Sequence, residues 1–255
     1  MGLLPAADRV AWLQGPSRRC EQVPDGGQTP ARLVLLGAPG VGKGTQADLL
    51  TKSLRACHLS TGDVFRTAAG GRDCQPSPAM KEALDYMRQG ALVPDLTVWE
   101  MVRERGNCLR CRGGFILDGF PRTLVQAEAL KNWMDDERLT LTAVVSYDLP
   151  EQEIVSRLGG RRTCEKCKAV FHLTECPPKI AGRCDRCQGK LFQREDDRPE
   201  SITVRLEAYR WSTEPLIEFY GKLGVLIAVA ATGTPQEIFQ ITLEGLVKRG
   251  LRFSL

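Results

Sequence analysis

A glycine-rich segment with one lysine is the clearest sign of chemistry in the sequence. Residues 37–45 read GAPGVGKGT and directly follow the apolar run Leu33–Leu36. Glycines at this spacing let several backbone N–H groups turn toward one anion, and a helix starting at the same point favours negative charge. Lys43 could then reach the β- and γ-phosphates of a nucleoside triphosphate. A plain strand-to-helix turn with a solvated lysine is the alternative, which the complete G-x-x-x-x-G-K spacing disfavours.

Two C-x-x-C pairs predict a metal site in the second half of the chain. They are Cys164 with Cys167 and Cys184 with Cys187. Each pair can present two thiolates from one turn, and two pairs can surround a zinc ion tetrahedrally. With four protein ligands the zinc would be structural, replacing the apolar core that this short segment is too small to build. Two disulfides or four free thiols are the alternatives.

The other cysteine pair and the nearby histidine offer less chemistry. Cys108 and Cys111 form a third C-x-x-C. One pair cannot close a tetrahedral site, so we interpret these two residues as ordinary thiols. His172 lies close in sequence to the first metal pair, and we expect it to pack there rather than to act as a fifth ligand.

The elements that must position these residues alternate between strands and helices. Five short apolar runs predict strands, at Leu33–Leu36, Cys57–Leu59, Phe115–Leu117, Ala143–Val145 and Val225–Ala230. The main helical stretches are Gln46–Leu54, Pro78–Arg88, Leu96–Arg105, Thr123–Asp135, Glu151–Leu158 and Pro199–Leu223. This alternation predicts an α/β fold with a doubly wound parallel sheet of about five strands, and it places ligands at the carboxyl ends of the strands.

Length and charge narrow the class of protein. The 255 residues suffice for one large domain with inserted subdomains. The chain has 35 basic and 31 acidic residues and no apolar run long enough to span a membrane, so we expect neither a nucleic-acid nor a membrane partner. Residues 1–30 lack a secretory apolar core. We expect them to form a loosely ordered extension without a catalytic role, the alternatives being a targeting signal or a dock for a partner.

The type of residue that follows Lys43 affects which side chain could bind magnesium. A general P-loop has Ser or Thr there, but in this chain Gly44 comes before Thr45. This order weakens Thr45 as a direct metal ligand. Asp118 ends the predicted strand Phe115–Leu117 and is the better candidate to hold Mg²⁺, directly or through water.

Three further segments, taken with the phosphate loop, resemble a known family. They are residues 59–66 (LSTGDVFR), 90–95 (GALVPD) and 118–123 (DGFPRT), with Gln126 four residues beyond Arg122. These segments and the G-x-P-G-x-G-K-G-T loop resemble the adenylate kinases from about residue 32 to 246. The flanks of the cysteine pairs are similar to those of the bacterial type with a long zinc-binding lid.

The resemblance implies how the domain is organised. A P-loop core at 31–255 would carry an inserted AMP-binding helical arm at about 60–93 and a zinc-ribbon-like lid at about 160–197. Residues 67–78 depart from the family and look like a short insertion in the arm.

The resemblance also implies two nucleotide sites. Arg66 and Arg122 would grip the AMP phosphate with planar, charge-assisted forks, and Gln126 would contact the adenine. The AMP site would comprise Thr61, Arg66, Ala91, Leu92, Val93, Gly119, Arg122, Gln126, Arg194 and Arg205. The ATP site would comprise Gly40, Val41, Gly42, Lys43, Gly44, Thr45, Arg157, Arg161, Val170, Phe171 and Pro235.

The implied reaction is reversible transfer of the γ-phosphoryl group from ATP to AMP, giving two ADP. The residues that would stabilise the transferring group are Lys43, Asp118, Arg122, Arg161, Arg194 and Arg205. Mg²⁺ and a structural Zn²⁺ are the implied cofactors, and we expect a cytoplasmic monomer. The alternatives are a kinase for another monophosphate, a relative that uses GTP as donor, and a non-enzymatic module that binds nucleic acid or acts as an adaptor.

Overall fold

The structure is a computed structural model that describes residues 12–13, 30–70 and 78–252. The predicted N-terminal extension therefore lies outside the described residues, except at Trp12, Leu13 and Pro30. The predicted insertion in the arm lies outside them at 71–77.

The predicted parallel sheet is confirmed. Its strands are β1 (Ala31–Leu36), β2 (Cys57–Ser60), β3 (Gly114–Asp118), β4 (Ala143–Asp148) and β8 (Leu226–Ala230). They lie in the order β2-β3-β1-β4-β8, and every neighbouring pair is parallel. The chain adds strands on one side of β1 first (β2 and β3) and then on the other side (β4 and β8). Doubly wound folds bind ligands in the crevice at the carboxyl ends of the strands where this change of side occurs.

Helices cover both faces of this sheet. They are α1 (Lys43–Leu54), α2 (Thr61–Gly70), α3 (Pro78–Arg88), α4 (Asp95–Glu104), α5 (Gly106–Leu109), α6 (Leu124–Asp136), α7 (Glu151–Gly160), α8 (Pro199–Ala208), α9 (Pro215–Lys222) and α10 (Pro235–Lys248). Within the described ranges no helix is both long and apolar enough to cross a membrane.

The alternation of side chains along β1 divides the core into two layers. Val34 and Leu36 belong to the buried cluster on one face of the sheet, and Leu33 and Leu35 to the cluster on the other. All four side chains are almost completely buried. A strand buried on both faces must be apolar throughout, which is why β1 shows no polar alternation in the sequence.

A second, smaller sheet carries the cysteine pairs. It consists of β5 (Arg161–Cys164), β6 (Val170–His172) and β7 (Leu191–Phe192), paired antiparallel in the order β6-β5-β7. Its buried apolar cluster contains few side chains besides cysteine, namely Ala169, Phe171 and Leu191. A cluster of this size cannot hold a subdomain together without a cross-link or a metal.

The stretch Pro199–Leu223 is helical as predicted, but it is not one regular α-helix. The structure has α8, then a π-helical turn over Tyr209–Thr213, then α9. Pro215 has no N–H group to donate and its ring would crowd the carbonyl four residues earlier, so a regular helix cannot continue through this point. The Glu214 N–H instead bonds the carbonyl of Tyr209, five residues back, at 2.9 Å.

Besides the four-residue α5, two helices lie outside the helical stretches that the sequence predicted. The first, α2, begins directly where β2 ends, without a connecting loop. The second, α10, starts with a capping box, in which the Thr234 hydroxyl accepts the Glu237 N–H and the Glu237 carboxylate accepts the Thr234 N–H.

Candidate active site

The phosphate loop lies between the end of β1 and the start of α1, as the sequence predicted. Gly37, Gly40 and Gly42 have positive φ values of 134°, 85° and 104°. A β-carbon at Gly37 would lie 2.5 Å from the carbonyl oxygen of Tyr147, and one at Gly40 would lie 2.7 Å from Cγ of Leu158. Glycine is therefore required here both by the backbone conformation and by the closeness of neighbouring elements.

Lys43 points back into its own loop. Its Nζ donates hydrogen bonds to the carbonyl oxygens of Gly37 at 2.6 Å and Ala38 at 2.8 Å. Desolvation lowers the pKa of Lys43 to about 7, although the carboxylate of Asp118 favours the charged form. The amine is thus held inside the loop where a phosphate would enter.

Asp118 ends β3 beside the phosphate loop. A β-carbon placed on Gly44 would lie 3.6 Å from Oδ2 of Asp118, so the carboxylate faces the start of α1. Burial alone would raise the pKa of Asp118, but the hydrogen bond from His58 and the charge of Lys43 hold it well below its ordinary value. A carboxylate kept ionised at this position suits a hard divalent cation, and this fits the Mg²⁺ that an ATP-dependent kinase needs.

His58 is a site residue that sequence reasoning missed. It lies on β2 with its side chain 3% exposed, its Nε2 3.3 Å from Oδ2 of Asp118 and its Nδ1 3.4 Å from Oδ1 of Asp48. The ring therefore bridges α1 and the end of β3. The sequence showed only an isolated histidine in an apolar run, without a motif that pairs it with a carboxylate 60 residues away.

A pocket lies at the carboxyl ends of β2 and β3, on the side away from the phosphate loop. It is lined by seven of the ten residues predicted for AMP, namely Thr61, Ala91, Leu92, Val93, Gly119, Arg122 and Gln126. A larger groove of about 740 Å³ between β8 and α10 contains none of the predicted residues. The predicted acceptor residues thus come together although they are up to 65 positions apart in the sequence.

Gln126 is held rigidly in this pocket. Its amide oxygen accepts the Arg122 N–H at 2.8 Å, and its amide nitrogen donates to Oδ1 of Asp95 at 2.7 Å. The same Asp95 oxygen accepts the Thr123 hydroxyl at 3.0 Å. Asp95 therefore fixes the orientation of the amide that a base would meet. Asp95 was not among the predicted site residues.

Arg66 is positioned by an acid on its own helix. Its Nη2 donates to Oδ1 of Asp63 at 2.7 Å. The pKa of Arg66 lies above its ordinary value, because the attraction of Asp63 outweighs the cost of burial. Arg66 therefore stays charged on the arm, with Asp63 as a second residue that the sequence did not mark.

Arg161 and Arg205, two of the arginines predicted to surround the phosphates, bond the same buried carboxylate. Asp197 is completely buried and accepts hydrogen bonds from Nε of Arg161 at 2.7 Å and from Nη1 of Arg205 at 2.9 Å. Arg205 also bonds the backbone carbonyl of Asp196 at 2.7 Å. Asp197 thus fixes two guanidinium groups that come from different elements, a role that no sequence motif indicates.

The arginines predicted to contact phosphate lie close together, namely Arg66, Arg122, Arg161, Arg194 and Arg205. Desolvation, together with the nearby charges of Arg66 and Arg161, lowers the pKa of Arg194 to about 9. Desolvation likewise lowers the pKa of Arg205, which also feels the positive charge of Arg161. Arginine groups this close repel one another, and the arrangement is stabilised when an anion lies among them.

The predicted contacts of the ATP base are brought together only in part. Nη2 of Arg157 lies 3.4 Å from the carbonyl oxygen of Ala231, near the loop that leads to Pro235. The Pro235 carbonyl itself accepts a hydrogen bond from Nε2 of Gln46 at 2.9 Å. Val170 and Phe171 lie in the small sheet, where the Phe171 side chain packs in the local core. Their contact with ATP stays a prediction, as does that of Thr45, whose side chain is exposed.

The four predicted metal ligands form one cluster. The Sγ atoms of Cys164, Cys167, Cys184 and Cys187 all lie within 4.8 Å of one another. Cys164 is 3.4 Å from Cys187, and Cys167 is 3.5 Å from Cys184. Four sulfur atoms at these separations fit a single tetrahedral zinc ion.

The backbone of each cysteine pair folds in the same way. The Lys168 N–H bonds the Cys164 carbonyl and the Gln188 N–H bonds the Cys184 carbonyl. Lys168 and Gln188 both have φ of 59°, so each turn ends in a left-handed residue. His172 is not part of the sulfur cluster. Its Nδ1 instead accepts the N–H groups of Thr174 and Glu175.

The third cysteine pair lies in the main domain. Cys108 and Cys111 are buried, and Sγ of Cys111 is 3.6 Å from Sγ of Cys57 on β2. Their interpretation as ordinary thiols stays a prediction.

The fold and the site define a P-loop kinase that acts on nucleotides. The phosphate loop, the acceptor pocket and the converging arginines lie around the same edge of a parallel sheet, as phosphoryl transfer between two bound nucleotides requires.

Comparison with known proteins identifies the family. The adenylate kinase family model matches residues 35–225. The chain is 47% identical over 208 residues to the adenylate kinase of Thermodesulfovibrio yellowstonii, covering 82% of this chain and 95% of that protein. It is 45% identical over 216 residues to the adenylate kinase of Streptomyces coelicolor, covering 84% and 98% respectively. The chain belongs to the adenylate kinase family.

Proposed function

We propose that this chain transfers the γ-phosphoryl group of ATP to AMP, giving two molecules of ADP, and that it works in both directions to balance the adenine nucleotides. One relationship carries the proposal. Asp118 faces the phosphate loop at Gly44, while the next residue, Gly119, lines the acceptor pocket. The donor and acceptor phosphates would therefore meet at the carboxyl end of β3, near Asp118 and Gly119.

The transfer needs positioning and neutralisation of charge more than covalent chemistry. An oxygen of the AMP phosphate attacks the γ-phosphorus in line, so no nucleophile or general base of the protein is required. Lys43 would lie against the β- and γ-phosphates, and Arg122 against the AMP phosphate. Arg161, Arg194 and Arg205 would stabilise the charge on the transferring group.

Magnesium would be held near Asp118, directly or through water. When bound with ATP, Mg²⁺ supplies neutralisation of phosphate charge. The low pKa of Asp118 and its support from His58 favour this assignment, because they keep the carboxylate ionised at every pH at which the enzyme would work.

Zinc would be held by Cys164, Cys167, Cys184 and Cys187 and would have a structural role. All four ligands come from the protein, which leaves no position for substrate or water. The small sheet has little apolar core of its own. The metal would therefore fix the shape of the lid. Arg161 and Asp197 lie at the two ends of the lid, and a fixed lid would keep them in position to bond each other.

AMP is the acceptor that the pocket favours. A glutamine amide offers both a donor and an acceptor, which matches an adenine edge, and Asp95 fixes its orientation. We also infer a monomer, since the predicted residues for both nucleotides come from one chain. The compartment would be the cytoplasm, where thiolates stay reduced and able to bind zinc.

A coupled assay over a panel of nucleotides tests the proposal. ATP or GTP serves as the donor, and AMP, UMP, CMP or GMP as the acceptor. We expect the highest kcat/KM by at least about tenfold with ATP and AMP, the scale set by one well-placed polar contact to a base. A preference for UMP, CMP or GMP would replace the acceptor assignment, and activity only with GTP would replace the donor assignment.

A further inference from the structure

Trp12 belongs to the N-terminal segment but is buried in the main domain. Its side chain is 1% exposed. It lies in the same apolar cluster as Leu59 of β2 and as Val64 and Phe65 of α2, and Leu13 packs against that cluster. Residues 1–30 were expected to form a loosely ordered extension without a catalytic role, because chain termini are commonly poorly ordered.

Two hydrogen bonds fix Trp12 between separate parts of the domain. Its indole Nε1 donates to the backbone carbonyl of Ser60 at 2.9 Å, in a buried position. Its own carbonyl accepts a hydrogen bond from Nε of Arg105 at 2.8 Å. Arg105 in turn donates to the carbonyl of Met101 on α4 at 3.1 Å. Trp12 therefore joins the end of β2 to the end of the helix that follows the AMP arm.

Ser60 is the residue from which the AMP arm starts. Its hydroxyl accepts the Asp63 N–H at 3.3 Å, which caps the first turn of α2. Its Cα is paired with that of Asp118 in the sheet. The next residue, Thr61, donates to the carbonyl of Gly119 at 2.9 Å and lines the acceptor pocket. The Ser60 peptide is therefore linked to two residues of the pocket lining, directly to Thr61 and through it to Gly119.

Phe65 gives a second connection between Trp12 and the acceptor pocket. It lines the pocket and belongs to the same buried cluster as Trp12. One face of the AMP pocket thus rests on a cluster that the N-terminal segment completes.

We propose that Trp12 is a positioning residue for the AMP site, acting through the Ser60 carbonyl and the packing behind α2. The inference rests on the proposed function, since it concerns the acceptor of that reaction. Trp12 does not touch the substrate. It holds the base of the arm at the distance from β3 at which Thr61, Phe65 and Gly119 can surround AMP. The ATP site, on the other side of Asp118, is independent of this contact.

Trp12→Phe is the variant that separates positioning from folding. Phenylalanine keeps most of the buried aromatic volume but cannot donate to Ser60. An alanine variant would leave a large cavity and affect stability too strongly to be informative. Trp211→Phe makes the same chemical change at a residue that is 83% exposed, and serves as the matched control.

The measurement is the KM for AMP, the KM for ATP and kcat, with the thermal midpoint taken alongside, on the full chain. For Trp12→Phe we expect the KM for AMP to rise about threefold to tenfold, the effect of one buried hydrogen bond. The KM for ATP and kcat should stay within about twofold, as should all three constants of Trp211→Phe. Arg105→Gln, which loses the bond to the Trp12 carbonyl, should raise the KM for AMP in the same direction and provides the answer if Trp12→Phe does not fold.

The outcomes distinguish the inference from the proposed function. An unchanged KM for AMP in Trp12→Phe and Arg105→Gln, or a parallel rise of both KM values, would overturn the positioning role while the kinase activity of the unmodified chain stood. Absence of ADP formation by the unmodified chain would overturn the proposed function, and the inference with it.

Discussion

Asp197 and Arg161 are joined by hydrogen bonds from both Nε and Nη2 of the guanidinium to the two carboxylate oxygens, with Nε 2.7 Å from Oδ2. The carboxylate is completely buried and also bonds Arg205 at 2.9 Å. One acid thus holds two of the arginines that would surround the transferring phosphoryl group. A pair with this geometry is pre-organised in a way that flexible surface arginines are not.

Replacing Asp197 with Asn should therefore damage the chemical step. The two guanidinium groups would lose their shared charged partner, although Arg205 would keep its ion pair with Asp196 at 3.2 Å. We expect kcat to fall by about 10-fold to 100-fold, less than the roughly 100-fold to 1000-fold for removing a group that itself stabilises the transition state, because Asp197 acts through the two arginines. ADP formation under saturating ATP and AMP measures this. Asp135→Asn, at an exposed acid paired with Lys131, should leave kcat unchanged. A normal kcat in Asp197→Asn would show that the arginines do not depend on this acid.

Loss of the Asp95 carboxylate should weaken AMP selectively. In Asp95→Ala the Gln126 amide and the Thr123 hydroxyl lose their common acceptor. We expect the KM for AMP to rise about fivefold, as when one or two hydrogen bonds are removed, with the KM for ATP unchanged. Glu100→Ala, an exposed acid on the same helix, is the control. If both KM values rise equally, Asp95 supports the fold and not the acceptor pocket.

Zinc should be required for the shape of the lid rather than for the reaction itself. Cys184→Ser removes one buried ligand and should reduce the zinc content from about one ion per chain toward zero, because a four-thiolate site tolerates few substitutions. The thermal midpoint should fall, and activity should fall as the lid loosens. Metal analysis and calorimetry measure the first two effects.

The exposed Cys176 gives the control for the zinc prediction. It lies in the lid but outside the sulfur cluster, so Cys176→Ser should keep zinc, midpoint and activity. Direct titration of Cys184→Ser with AMP should show a smaller loss than the activity does, since the pocket that Thr61, Gly119 and Gln126 line is outside the lid and Arg194 is the one predicted AMP contact within it. A stable, fully active Cys184→Ser enzyme without zinc would contradict the structural role.

Binding of ATP should be coupled to uptake of a proton above neutral pH. The pKa of Lys43 is about 7 in the ligand-free structure because of desolvation, and phosphates beside the amine would raise it. At pH 8 most of the ligand-free chain carries a neutral amine, so binding should take up close to one proton. At pH 6 the amine is already charged and uptake should vanish.

Calorimetry in buffers with different ionisation enthalpies measures this proton uptake. Lys43→Arg keeps the positive charge at all these pH values. It should therefore take up no protons on ATP binding beyond those that the nucleotide itself takes up. If the unmodified chain and Lys43→Arg take up the same number of protons at pH 8, Lys43 is not the titrating group.

The parts of the fold that local sequence determines could be predicted. The phosphate loop lies where its glycines require it, and β1 is apolar throughout because both of its faces are buried. The four zinc ligands were predicted because both members of each pair lie within one turn. The acceptor residues came from the resemblance of whole segments and not from any single residue.

The partners that hold those residues could not be predicted. His58 meets Asp118, Asp197 meets Arg161 and Trp12 meets Ser60 only after the chain has folded, across separations of 60, 36 and 48 residues. None of these residues shows a local pattern that distinguishes it from an ordinary buried or charged side chain. The helical stretch at Pro199–Leu223 was predicted without the π-helical turn at Tyr209–Thr213 that precedes Pro215.

The most direct test of the central claim is ADP formation from ATP and AMP by the unmodified chain and by Lys43→Ala, with magnesium present. We predict that the unmodified chain forms two ADP for each ATP consumed, while Lys43→Ala keeps its thermal midpoint within a few degrees and loses at least about 100-fold in rate, as expected for the loss of a charged group at the transferred phosphate. ATP consumption without stoichiometric conversion of AMP, or a near-normal rate in folded Lys43→Ala, would contradict the account.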